Sequence, residues 1–300
     1  MRDFTIIQYT KMLKTLLAQG FSFQPFFAFI ENPNPKVIML RHDVDKLPEN
    51  SLKTAQLEAS LGIRGSYYFR TVPCSYSVEI IREIARLGHE VGYHYETMDS
   101  ARLKVKGDKL KEKGFEVKNE RSKCSEDPDL SGLKDRKDNR EADIDRHIDA
   151  AYEEFCEKLE LIRGLVPVTT ICMHGSPQSA YDNKDIWRKF DYKALGVIGE
   201  PYFDIDFDKV FYLTDTGRRW NGYKVSVRDK MPQQARWARE GLIFKTTTDI
   251  INAAKSGRLP NQIMITVHPQ RWSNAAIPWA KELVLQNIKN VVKWAMIRMR

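Results

Sequence analysis

The sequence predicts an α/β fold, a distorted (β/α) barrel of about seven parallel strands. Three observations predict it. Short apolar runs alternate with amphipathic helical stretches. No Gly-x-Gly-x-x-Gly follows the first strand, which removes the main signal of an open dinucleotide-binding sheet. Histidines and aspartates sit at or just past the ends of the apolar runs, and in a parallel barrel those ends gather on one face.

In chain order, Met1 to Gln19 reads as an amphipathic helix, with Ile6, Met12, Leu13, Leu16 and Leu17 on one side and Lys11 and Lys14 among the polar positions. Val37 to Arg41 is the first apolar run, and helical spacing follows from Ser51 to Leu61. Ser66 to Phe69 is an aromatic-rich strand of the kind a pleated surface favours. Val78 to Leu87 is a helix closed by Gly88, and Glu90 to His94 is the next strand. A long helix is expected from about Ile144 to Ile162, then a strand from Thr169 to Met173. Further strands are expected at Gly196 to Gly199, Val210 to Leu213, Tyr223 to Val227 and Gly241 to Phe244. Asp249 to Lys255 reads as a helix, Ile263 to Val267 as the last strand, and Trp279 to Arg298 as the final helix. The expected organisation is one catalytic domain over residues 1–300, interrupted by a charged insertion at about Ser100 to Asp143. That insertion reads as a solvated excursion or, because it leaves just after His94, as a lid or an oligomer contact.

Composition excludes several classes. A chain of 300 residues can bury a sizeable core, and 42% hydrophobic with 29% charged residues is ordinary for a globular protein. No apolar stretch approaches the roughly 20 residues that span a bilayer, and no signal peptide is visible. Cys74, Cys124, Cys156 and Cys172 are scattered, with no CxxC pair, which fits a reducing compartment. A cytoplasmic location is therefore expected. The net charge of +8 comes from Lys and Arg interleaved with acids, and Arg298-Met299-Arg300 is too short for a nucleic-acid module. No nucleic-acid partner is expected; an anionic sugar stays open as a substrate.

The chemistry lies in the histidines and aspartates. His42, His94, His174 and His268 end or follow expected strands; His89 and His147 do not. Arg41-His42-Asp43-Val44-Asp45 closes the first apolar run. Alternation points Asp43 and Asp45 to one side, where two carboxylates need a cation or a proton between them. One can hold a metal while the other takes a proton from the attacking water. A neutral imidazole at a strand end, as at His94, is a good ligand for a zinc-class ion. His268, followed by Pro269, can serve as a general acid.

These residues resemble the polysaccharide deacetylases, the carbohydrate esterase family that includes chitin and peptidoglycan deacetylases. Its first motif ends a strand with two aspartates, and Arg41-His42-Asp43-Val44-Asp45 looks like a variant branch of it. Gly88-His89-Glu90-Val91-Gly92-Tyr93-His94 matches the first half of the second motif, and Val267-His268-Pro269 matches the last. The resemblance spans about Lys36 to Gln270. It implies a deacetylase-like barrel, with Asp43 as catalytic base and His268 as catalytic acid. It also implies a divalent metal, zinc by preference, on Asp45 and His94. The substrate implied is an N- or O-acetylated sugar. One departure stands out: the family's second metal histidine would fall at Met98. Methionine is a poor ligand for such a cation. The third ligand is then expected at His174 first, Glu96 second and His147 third. The alternative is a metal-poor or repurposed relative that acts on another C–N bond or only binds carbohydrate. Asp215, Arg218 and Trp220 are weak candidates to line the pocket, and Arg271 with Trp272 to offer a platform for a sugar ring.

Overall fold

Strand β2 (Val37–Val44) organises the fold, and all eight of its residues are buried. The computed structural model describes residues 2–101, 132–175, 181–221 and 231–298. Along one edge β2 pairs first with β1 (Ser22–Gln24), from Val37, and then with β3 (Ser66–Phe69), from Arg41. Along the other edge it pairs with β7 (Gln262–Val267). Adding β4 (Glu90–Tyr95), β5 (Ile171–Met173) and β6 (Phe211–Thr214) gives the order β5-β4-β3-β2-β7-β6, with every pairing parallel. The sheet curls into a half-barrel, the distorted barrel expected from the sequence.

Helices connect and cover the strands. They are α1 (Ile6–Ala18), α2 (Phe26–Glu31), α3 (Pro48–Ser60), α4 (Val78–Arg86), α5 (residues 97–101) and α6 (Gly132–Arg163). After them come α7 (Pro201–Asp204), α8 (Gln234–Arg239), α9 (Thr247–Lys255) and α10 (Ala276–Arg298). Their starts follow capping chemistry: Thr5 caps α1, Ser77 caps α4, and Thr246 with Asp249 forms a reciprocal box on α9. After α4, Gly88 takes φ +86°, a conformation that a side chain would strain. No helix among the described residues is long and apolar enough to cross a membrane.

Alternation sorts the strand residues onto two faces. Tyr67, Phe69, Val91, Tyr93, Tyr95, Ile171 and Met173 pack with α4 and α6 residues such as Ile81, Ile84 and Phe155. The opposite face carries Arg41, Asp43, Tyr68, Gly92, His94 and Cys172, which the ladder brings into neighbouring rows. Gly92 is required there: a Cβ would lie 2.4 Å from the Tyr68 ring, which crosses it to reach Thr170.

Three expectations change. Gly196 to Gly199 is not a strand; Gly196 closes a 3-10 turn at φ +71°, and only Gly199 bridges to Thr170. Gly241 to Phe244 is not a strand either, since Gly241 turns at φ +74° after α8 while Leu242 and Phe244 plug the core. Short apolar runs fill a core as well as they form strands, so periodicity alone cannot separate the two. The long helix starts at Gly132 rather than near Ile144, taking in the last part of the expected charged insertion. Residues 102–131 of that insertion and the strand expected at 223–227 lie outside the described residues.

Candidate metal centre and active site

The rim of the site follows one positional rule, while Asp43 and His94 reach it from inside β2 and β4. The first residue past each of six strands is Asp45 (β2), Arg70 (β3), Glu96 (β4), His174 (β5), Asp215 (β6) and His268 (β7). Parallel strands put all six on one rim, the C-terminal end where such folds assemble their sites. In spatial order the rim reads His174, Glu96, Arg70, Asp45, His268, Asp215.

At its centre, Asp45 Oδ1 lies 3.7 Å from His94 Nε2 and 3.7 Å from His174 Nε2. Those separations exceed a hydrogen bond, and Oδ1 is buried with no partner. Ligands about 2.1 Å from a tetrahedral ion stand roughly 3.4 Å apart, so Asp45 Oδ1 faces each imidazole close to the spacing of a shared cation, and the ligand atoms of the three residues lie within 4.8 Å of one another. The other Asp45 oxygen accepts a hydrogen bond from Gln270 Nε2 at 3.1 Å. His94 Nδ1 donates to the Cys172 carbonyl at 3.0 Å, which fixes the tautomer and leaves the Nε2 lone pair facing Asp45. Burial pushes the His94 imidazole down to about 4 against the pull of Asp43 and Asp45, so the ring is neutral near pH 7. His174 is held by its backbone: its N–H donates to Tyr95 O at 2.8 Å, and its carbonyl accepts from Asn183 Nδ2 at 2.8 Å. The donor set of one carboxylate and two imidazoles suits a zinc-class ion. Asp43, His94 and Cys172 form a second, deeper group of possible ligands.

Asp43 stands behind this centre, its Oδ2 3.9 Å from His94 Nε2. Arg41, two residues earlier on the same face, grips it with two bonds of 2.8 and 2.7 Å. Burial alone would raise the Asp43 carboxyl, but Arg41 and then His94 outweigh it and hold the group well below the usual carboxylate range. Asp43 is therefore ionised and fixed in direction.

His268 closes the other side, with Nε2 3.9 Å from Asp45 Oδ2. Its Nδ1–H donates to Asp215 Oδ1 at 2.6 Å, and its backbone N–H donates to Asp215 Oδ2 at 3.0 Å. Arg271 Nη1 donates to Asp215 Oδ1 at 2.8 Å, and Trp272 Nε1 to Oδ2 at 2.8 Å. Burial and Arg271 both lower the His268 pKa, yet Asp215, with Asp45 adding to it, outweighs them and the net shift is upward. A buried carboxylate that orients an imidazole and favours its protonated form is the arrangement a general acid needs.

The structure thus brings together Asp43, Asp45, His94, His174 and His268. Asp215 is placed as the orienting partner of His268, fully buried rather than lining a pocket. Trp272 is only 2% exposed and packs against Phe4, Tyr9 and Trp220, so neither ring face is open to a sugar. Arg218 is also buried, with Nη1 donating to Trp279 O and the guanidinium over the Trp279 ring. Trp220 donates to Thr247 in the core. His147 does not join the centre or the polar side of its helix: it is buried and bonds to the Met98 carbonyl at 2.8 Å. Glu96 faces His174 rather than Asp45, with Oε2 3.4 Å from His174 Nδ1. Met98 is wholly buried in the core under α6. His42 lies beside Asp43 within β2 rather than past its end, and it points the other way, stacked on Tyr67 at 3.9 Å and paired with Glu58 at 2.8 Å.

Sequence reasoning missed Arg41, Arg70 and Gln270. The available signal was positional: Arg70 follows its strand just as Asp45, His174 and His268 follow theirs. Comparisons of this chain with protein-family models, curated proteins and solved structures each returned no match.

Proposed function

We propose that this chain is a metal-dependent hydrolase that removes an acyl group, acetyl in the first instance, from an amino sugar or sugar ester. The observation that carries the reading is the partnerless, buried Asp45 Oδ1 facing two imidazole nitrogens at 3.7 Å. The polysaccharide-deacetylase-like motifs at Asp43, His94 and His268 support the same chemistry. Asp45, His94 and His174 would hold the ion. A zinc-class cation, when bound, supplies Lewis-acid polarisation of the acyl carbonyl and eases attack by water. Asp43, aimed by Arg41, accepts the proton from the attacking water. His268, protonated and oriented by Asp215, donates a proton to the departing amine or alcohol oxygen.

Arg41 also favours a second reading, in which carbohydrate is bound but not cleaved: its two bonds to Asp43 occupy the carboxylate that must take the proton. Elemental analysis of protein expressed with ample metal, combined with release of acetate from acetylated amino sugars, separates the two. Hydrolysis predicts a stoichiometric ion and turnover, both lost in Asp45→Ala. An ion-free protein that binds sugar without releasing acetate sinks the hydrolase, and full turnover in Asp45→Ala or in chelator sinks its metal dependence.

A further inference from the structure

We propose that Glu96, clamped by Arg70, is the positioning residue that makes His174 a metal ligand in place of the histidine this chain lacks at Met98. The inference rests on the metal-centre reading above and concerns how the third donor is held. His174 Nδ1 is buried and has no hydrogen-bond partner, and the nearest acidic group is Glu96, with Oε2 at 3.4 Å. At that distance the Glu96 carboxylate is the acceptor within reach of an Nδ1–H, while Nε2 faces Asp45 Oδ1 at 3.7 Å. A ligating imidazole needs such an outer acceptor, because it fixes which nitrogen carries the proton and which offers a lone pair. His94 already has its own in the Cys172 carbonyl.

Arg70 supplies the rigidity. Its Nη2 donates to Glu96 Oε2 at 2.6 Å and its Nε to Oε1 at 3.1 Å, so the carboxylate is held by a fork. Its Nη1 reaches the Asp45 carbonyl at 3.2 Å. One guanidinium therefore ties the strand end that bears Asp45 to the acid that faces His174. Simple surface pairing of Arg70 with Glu96 would leave the His174 nitrogen buried without an acceptor, which is costly. Met98 cannot take over, since its side chain lies in the core and its N–H is bonded to Asn183 Oδ1 at 3.0 Å.

Zinc titration of the full chain against a chromophoric chelator tests this, with melting curves of the metal-free proteins as the control for folding. Glu96→Gln is expected to bind zinc about 10–100-fold more weakly than the unaltered chain. Glu96→Asp should recover part of the loss, and metal-free melting should change little in either. Arg70→Lys, which keeps the charge but not the fork, is the second variant and should also weaken binding. Zinc affinity unchanged in both Glu96→Gln and Arg70→Lys, with Asp45→Ala losing it, overturns this inference alone. No zinc binding by the unaltered chain overturns the metal-centre reading itself.

Discussion

Two clusters on either side of β2 and β3 have nearly the same composition and opposite character. Behind the sheet, Glu58 sits with His42 and His89; at the rim, Asp45 sits with His94 and His174. In the first cluster every strong group is answered. Glu58 accepts from Tyr9 Oη at 2.5 Å, Tyr67 Oη at 2.8 Å and His42 Nε2 at 2.8 Å. His89 accepts from the Gly65 N–H at 3.1 Å and donates to the Ala55 carbonyl at 2.9 Å. In the second, an oxygen of Asp45 and a nitrogen of His174 have no partner at all. A carboxylate with two histidines is thus no signature of a metal site; unanswered donor atoms converging at ligand spacing are. The first cluster is satisfied within the fold, and the second leaves two donor atoms unanswered.

The sharpest way to break the comparison is to remove a candidate ligand and offer a histidine at position 98 instead. His174→Ala should lose the ion, and adding Met98→His should not restore it, because position 98 faces the core. Zinc content after dialysis measures this; recovery in the double variant would mean that the rim is not the ligand platform. Next in size is the acid side. His268→Gln should keep its metal yet lose turnover by about 10²–10⁴-fold. Because the acid must be protonated and its pKa is raised, wild-type turnover should fall as pH rises through that value. The fall should be missing from the His268→Gln profile. A third prediction concerns the satisfied cluster. Removing Glu58 leaves His42 buried without its carboxylate, so Glu58→Ala should cost about 3–5 kcal/mol in urea unfolding. Zinc affinity of the folded fraction should not change. Burial would raise the Glu58 pKa, but His42 and the bonds it accepts lower it on balance. Its contribution is therefore present above the free carboxyl's pKa and is lost as pH falls towards the folded value. The variant should lack that acid-side loss.

The same contrast explains what the sequence could show. Strands β2, β3, β4 and β7 were legible because apolar or aromatic runs end in polar residues, and those ends are where Asp45, His94 and His268 stand. Strand β1 was not, because three residues carry no usable period. Alternation sets His42 and Asp43 on opposite faces, but which of those faces carries the site depends on how the strands pair and curl, which the chain does not spell out. Long side chains were the hardest to place. Arg41, Arg70 and Gln270 reach residues brought near by strand order, which no local pattern encodes. Trp272 misled for the reverse reason: an aromatic beside a candidate acid resembles a sugar platform until Phe4, Tyr9 and Trp220 are seen to cover it.

Diffraction data collected at a metal absorption edge, on protein grown with ample zinc, test the central claim most directly. The account predicts one anomalous peak bonded at about 2.0–2.2 Å to Asp45 Oδ1, His94 Nε2 and His174 Nε2. No peak, or a peak held by Asp43 and Cys172 instead, would contradict it.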